Sequence, residues 1–189
     1  NNTVNNGSYG IYWRGSSTSS LSADNEFTGN TFNQPYNYGV YAYYTSNQNI
    51  SNNSITRSGS GSFYGFYLYY ADNAYKLDGN TVTSTSITTS IHYPIYMWYC
   101  DGSSTNRGSV SGNTISVSSS TTSYGMYIYY GNYYSVANNK VTLTGSGTKY
   151  PLYNYNYTNS SFTYGKDCYI EGNEFTATTT SSIYLYAHY

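Results

Sequence analysis

Charge is scarce in this chain of 189 residues: only 8% are Asp, Glu, Lys or Arg, and seven cations nearly cancel eight anions. That balance gives no reason for the protein to be steered toward nucleic acid or an anionic membrane. No apolar run approaches the roughly 20 residues of a membrane span, so no membrane insertion is expected, and no signal-peptide pattern is present. The chain opens at Asn1 without a methionine, as expected of a processed or excised form. Two cysteines, Cys100 and Cys168, permit at most one internal disulfide. His92 and His188 each lack a nearby nucleophile, which argues against a hydrolytic triad.

In place of charge the sequence carries Ser, Thr, Asn and Gly, with 30 tyrosines. This mix is similar to that of secreted bacterial surface proteins and points to an extracellular or cell-surface location. The tyrosines come in runs: YGVYAYY at 38–44, YGFYLYY at 64–70 and YGMYIYY at 124–130. A phenol is awkward to bury without a partner for its hydroxyl, so the repetition needs a reason.

A second signal recurs between those runs. It reads FTGNTFN at 27, ISNNSIT at 50, LDGNTVT at 77, VSGNTIS at 110, VANNKVT at 136 and IEGNEFT at 170, with NNTVN at the start as a shortened copy. The second Asn of each sets a register: Asn2, Asn30, Asn53, Asn80, Asn113, Asn139 and Asn173. Alternating residues within both signals argue strands, and copies of 23 to 34 residues with Gly/Asn turns fit the coils of a solenoid. On these [IVLF]-x-[GN]-N-x-[IVF]-[TS] segments the whole chain resembles the right-handed parallel β-helix, the superfamily of pectate lyases and many bacterial surface proteins. The resemblance implies an all-β fold, a single-stranded parallel β-helix of about seven coils forming one domain over 1–189. Equivalent residues would then lie about 4.8 Å apart. The seven Asn side chains are expected to form an internal, structural amide ladder.

Threading the tyrosine strand places Val40 and Ala42, Phe66 and Leu68, Ile95 and Met97, Met126 and Ile128, and Ile183 and Leu185 inward. One outward column then reads Tyr12, Tyr41, Tyr67, Tyr96, Tyr127, Tyr153 and Tyr184. Its neighbour reads Arg14, Tyr43, Tyr69, Trp98, Tyr129, Tyr155 and Tyr186. The predicted result is a pair of aromatic ladders forming a strip on the order of 30 Å long. Such a strip suits lateral contact with another copy or a polysaccharide lying on aromatic faces.

Loops at 57–62, 116–123 and 144–149 read as flexible. Acceptor patterns for covalent N-linked glycan stand at Asn1, Asn6, Asn49, Asn52, Asn156 and Asn159. A file of Thr31, Ser54, Thr81 and Thr114 resembles the flat arrays of ice-binding proteins, but Lys140 and Glu174 interrupt it and ordinary β-propensity accounts for the threonines. Cys100 and Cys168 follow tyrosine strands two coils apart, across a short loop, and are candidates for a disulfide. Asp72 and Asp101 align in adjacent coils with Asn132 next, which could form a carboxylate pair of the spacing a retaining glycosidase uses or a weak calcium site. The same positions are turns, where Asp and Asn bond their own backbone. Pectate lyases use clustered Asp residues and a basic residue, and no such cluster stands here, so no enzyme and no cofactor are expected.

Both ends read as uncapped coils. The expected function is therefore that of an extracellular structural subunit stacking head-to-tail with itself into a filament. The alternatives are a carbohydrate-binding or adhesin module on the tyrosine face and a polysaccharide-degrading enzyme at Asp72 and Asp101.

Overall fold

The computed structural model describes residues 1–86, 90–157 and 163–186. It is all β among those residues, a single-stranded parallel β-solenoid of about six turns. Each full turn visits three sheets. In one turn, Gly108–Ser111 lies in the first sheet, Thr114–Ser119 in the second and Ser123–Tyr129 in the third. The first sheet stacks six strands and the second seven. The third stacks six, from Tyr9–Arg14 to Lys149–Tyr155, with Ser22–Ala23 added beside Tyr38–Ser46.

The repeated [GN]-N pair explains the corner between the first two sheets. Its first residue takes a left-handed backbone in every full copy: Gly29 (φ 65°), Asn52 (55°), Gly79 (64°), Gly112 (63°), Asn138 (55°) and Gly172 (62°). Gly and Asn are the residues that reach this region at least cost. The following Asn turns inward and meets its equivalents. Its Nδ2 donates to the Oδ1 of the Asn one coil on, in six links from Asn2 to Asn173 at 2.9–3.1 Å. The same Oδ1 also accepts the backbone N–H of the preceding Asn. The expected amide ladder is thus present and continuous.

Inward residues from the three sheets form one core, including Phe32, Ile55, Leu77, Val82, Ile95, Val110, Ile115, Met126 and Val141. Two tyrosines lie inside it. Tyr75 and Tyr134 are fully buried, and Tyr134 Oη donates to Asn154 Oδ1 at 2.5 Å. The last expected core pair does not join them. Ile183 and Leu185 are 52% and 55% exposed, on a segment that meets Lys149–Tyr155 at two isolated bridges, Lys149 with Ile183 and Tyr153 with Tyr186.

The loops are pinned from within by buried cations, not loose as their composition implies. Lys149 Nζ donates to the carbonyls of Ser119, Thr121 and Ser146 at 2.8–3.0 Å. Arg57 does the same for Ser58 and Ser60. Each guanidinium or ammonium replaces its lost water with carbonyl oxygens, as a buried charge must.

Candidate functional site

The third sheet carries its aromatic residues outward, and they form four columns where two were expected. The expected column Tyr12, Tyr41, Tyr67, Tyr96, Tyr127 and Tyr153 stacks ring on ring at 4.8–5.2 Å, with planes within 10° of parallel. The column of Tyr43, Tyr69, Trp98, Tyr129 and Tyr155 is less regular: Tyr129 and Tyr155 stack, while Trp98 stands edge-on to both neighbours. Arg14 opens it, with its guanidinium 5.2 Å from the Tyr43 ring. At the far end the expected column places move by one. Tyr186 pairs with Tyr153, and Tyr184 stacks on Tyr150.

That partner belongs to a column alternation does not reveal: Tyr9, Tyr38, Tyr64, Tyr93, Tyr124 and Tyr150, stacked at 4.8–5.1 Å. In Ser123–Tyr129, Gly125 and Met126 are both buried, so the alternation slips there and Tyr124 emerges on the same side as Tyr127. A Cβ at Gly125 would collide with Val141 Cγ1 and the Pro151 carbonyl, which is why Gly occupies the corner. The signal is Tyr-Gly-x-Tyr or Tyr-Pro-x-Tyr, present at 9, 38, 64, 93, 124 and 150. Rings of the two columns meet edge to face, as Tyr64 and Tyr67 do at 88°.

The fourth column is Tyr44, Tyr70, Tyr99, Tyr130 and Tyr164, with centroids 4.8–5.6 Å apart. Its first four members hold φ between 50° and 56°, a conformation that costs a side chain bearing Cβ about 1–2 kcal/mol. Consecutive strand residues point to opposite faces. The left-handed step instead swings the second tyrosine of each Tyr-Tyr pair back beside the first.

The faces of the inner rings are therefore taken by neighbouring rings, and what the sheet presents to solvent is their hydroxyl edge. Partial burial, with neighbouring phenols adding repulsion, raises the pKa of Tyr38, Tyr41, Tyr67, Tyr96 and Tyr127, and pushes Tyr124 up to about 12. These six phenols therefore stay protonated at ordinary pH.

The other candidate residues are placed as follows. Asp72 and Asp101 are partly buried in one column: Asp101 N–H donates to Asp72 Oδ1 at 3.3 Å, and Asn132 Nδ2 donates to Asp101 Oδ1 at 3.0 Å. Asn132 Oδ1 in turn accepts the Lys166 N–H, so these side chains form a turn ladder. Burial raises both carboxyl pKa values, Asp72 to about 6. Cys100 and Cys168 are free thiols. Gly131 of the intervening coil stands between them, with Cys168 Sγ 3.8 Å from its carbonyl. Two coil spacings come to about 10 Å, beyond the roughly 7 Å at which a disulfide closes. Among the glycan acceptors, Asn1, Asn6 and Asn52 are exposed and Asn49 is half-buried. Asn156 is buried, with its amide bonded to Tyr134, Asn154 and the Gly131 N–H, so the folded chain cannot carry glycan there. Asn159 and His188 lie outside the described residues.

Residues 1–101, a little over half of the chain, match the family model described as periplasmic copper-binding protein (NosD). No curated protein and no solved structure matches the chain.

Proposed function

Because the chain belongs to the NosD family, whose description places it outside the cytoplasm, we propose that it is an extracytoplasmic structural β-solenoid that assembles coil on coil into a fibre. The observation that carries this reading is the sameness of the coil interfaces. Each is built from one Asn link, stacked tyrosines and in-register parallel strands. An interface made of identical parts can be repeated by a second copy, and a repeat of that head-to-tail kind generates filaments. The mechanism is strand addition, with backbone hydrogen bonds giving affinity and the aromatic columns fixing register. The hydroxyl-edged face is then left for lateral packing, and Asn1, Asn6 and Asn52 for glycan.

The family's name carries copper, and the residues here do not fit it. Among the described residues no three His, Cys, Asp or Glu side chains converge. His92 lies in the core, and the two thiols are held apart by Gly131. No metal role is assigned.

Electron microscopy in dilute neutral buffer at two protein concentrations tests the fibre. Uniform filaments that lengthen with concentration are expected. Isolated short rods at both concentrations would overturn the reading. In that case the hydroxyl-edged tyrosine face becomes the surface to test, with soluble polysaccharides as the first probes.

A further inference from the structure

Among the described residues, two ring pairs on the tyrosine face are closer than any others. Tyr43 and Tyr44 have centroids 4.0 Å apart with planes tilted 32°, and Tyr129 and Tyr130 are 4.0 Å apart with a tilt of 57°. The other described aromatic contacts are at 4.8 Å or more. In the first pair the Tyr43 hydroxyl donates to that of Tyr44 at 3.3 Å. The two hydroxyl-bearing edges of that pair therefore lie side by side.

These pairs are products of the backbone. Tyr44 and Tyr130 hold φ of 56° and 54°, which turns each ring onto that of the residue before it. The related pair Tyr69–Tyr70 stands edge to face at 88° and 4.8 Å, and Trp98 takes the first place beside Tyr99 at 5.6 Å. Of the four steps that end at Tyr44, Tyr70, Tyr99 and Tyr130, two thus bring two phenols close without a perpendicular crossing. All four residues are partly exposed, and the stacked columns beside them give an unbroken series of phenols about 5 Å apart.

We propose that Tyr43–Tyr44 and Tyr129–Tyr130 are sites of oxidative modification, where one-electron oxidants acting on the tyrosine face convert a ring pair into dityrosine. Each phenol of a pair loses one electron to the oxidant and its hydroxyl proton to water, giving two neutral phenoxyl radicals. The radicals join through the carbons ortho to oxygen. The two hydrogens on those carbons then move to the phenolic oxygens and restore both aromatic rings. With a haem peroxidase and hydrogen peroxide as oxidant, the peroxide takes up the two electrons and two protons and leaves as two molecules of water. A radical formed elsewhere on the face reaches the pairs by hops between stacked rings. In each hop the neighbouring phenol gives up an electron and its hydroxyl proton, becoming the new radical, and the ring that held the radical takes up an electron and a proton and returns to phenol. The bond closes within one chain, so the proposal stands independently of fibre formation.

The test treats dilute protein with horseradish peroxidase and hydrogen peroxide. Blue dityrosine fluorescence should appear in the monomer fraction, independent of protein concentration, with a loss of two hydrogens mapped by peptide mass to segments containing 43–44 and 129–130. The double variant Tyr44→Phe, Tyr130→Phe keeps both rings but removes one radical-forming phenol from each pair, and should lose most of the monomer emission. Tyr12→Phe with Tyr153→Phe, which also preserves stacking, should keep it. Equal loss in the two double variants, dityrosine confined to covalent dimers, or no dityrosine in the folded wild-type chain would each overturn the proposal. Circular dichroism of both variants before oxidation verifies that the comparison is between folded proteins.

Discussion

Asparagine stands at the inner ladder position in all seven repeats, whereas the outer column that contains Tyr43 takes Arg14, Trp98 and tyrosine in turn. Both ladders run along the same axis with the same spacing, yet they tolerate different things. An inner amide has to present a donor and an acceptor in fixed directions, because nothing else reaches the buried N–H and C=O groups it serves. An outer ring has only to offer a flat or polarisable face near 5 Å, and water supplies whatever hydrogen bond it lacks. Uniformity therefore marks the ladder that carries directional bonds, and variation marks the one that packs.

The sharpest way to break this contrast is Asn113→Ala. It removes the acceptor for the Asn80 N–H and Nδ2 and the donor to the Leu77 carbonyl. Leaving two or three buried groups unpaired should cost on the order of 4 kcal/mol, read as a lower urea midpoint. Tyr127→Ala, which deletes stacks of 4.9 and 4.8 Å on Tyr96 and Tyr153, should cost about 2–3 kcal/mol from two ring contacts and lost burial. If the two losses are equal, the distinction between the ladders fails. Tyr127→Phe should change stability by less than about 0.5 kcal/mol, since the ring and its stacks remain.

Acid titration sharpens the same contrast with two groups whose burial acts in opposite directions. His92 is buried, and burial, helped by the Arg57 charge and opposed by a backbone hydrogen bond with Gly61, lowers its pKa to about 4 from 6.5. The unfolded chain then binds the proton first, so this group lowers stability as pH falls from about 6.5 to 4. Asp72, raised from 3.8 to about 6, takes up its proton first in the folded chain and adds stability as pH falls through that window. The two slopes oppose one another. Asp72→Asn should expose the acid-side loss, and His92→Phe should leave only the gain. His92→Phe should also stabilise the chain at neutral pH by about 1 kcal/mol, by replacing a buried polar ring beside Phe63 with an apolar one. Melting temperatures of the three proteins between pH 4 and 7 check both statements.

The solenoid and its amide ladder were legible because one residue, Asn, recurs after a Gly or Asn that only a left-handed corner requires. The core position of Val82, Ile115 and Val141 follows from the same register. The tyrosine face was half legible. Strict alternation finds the columns of Tyr41 and Tyr43, but it fails at Gly39 and Gly125, where two successive residues turn inward, and so hides the column of Tyr38 and Tyr124. It fails again at Tyr44 and Tyr130, because a positive φ at tyrosine contradicts the residue's own preference and so leaves no mark in the sequence. The cysteines and Asn156 were misread for a related reason: spacing along the chain says which coil a residue occupies, but not that Gly131 separates the thiols or that Tyr134 and Asn154 enclose the amide.

The inner ladder also gives the rod a sign. Each Asn Oδ1 accepts from the preceding coil, so every side-chain carbonyl in the relay is aimed toward the Asn2 end. An amide group carries a dipole of about 3.5 D, and aligned amides add where the alternating dipoles of the sheets nearly cancel. A solenoid with almost no net charge is thereby electrically polar along its length, and side-by-side neighbours are favoured when they run in opposite directions.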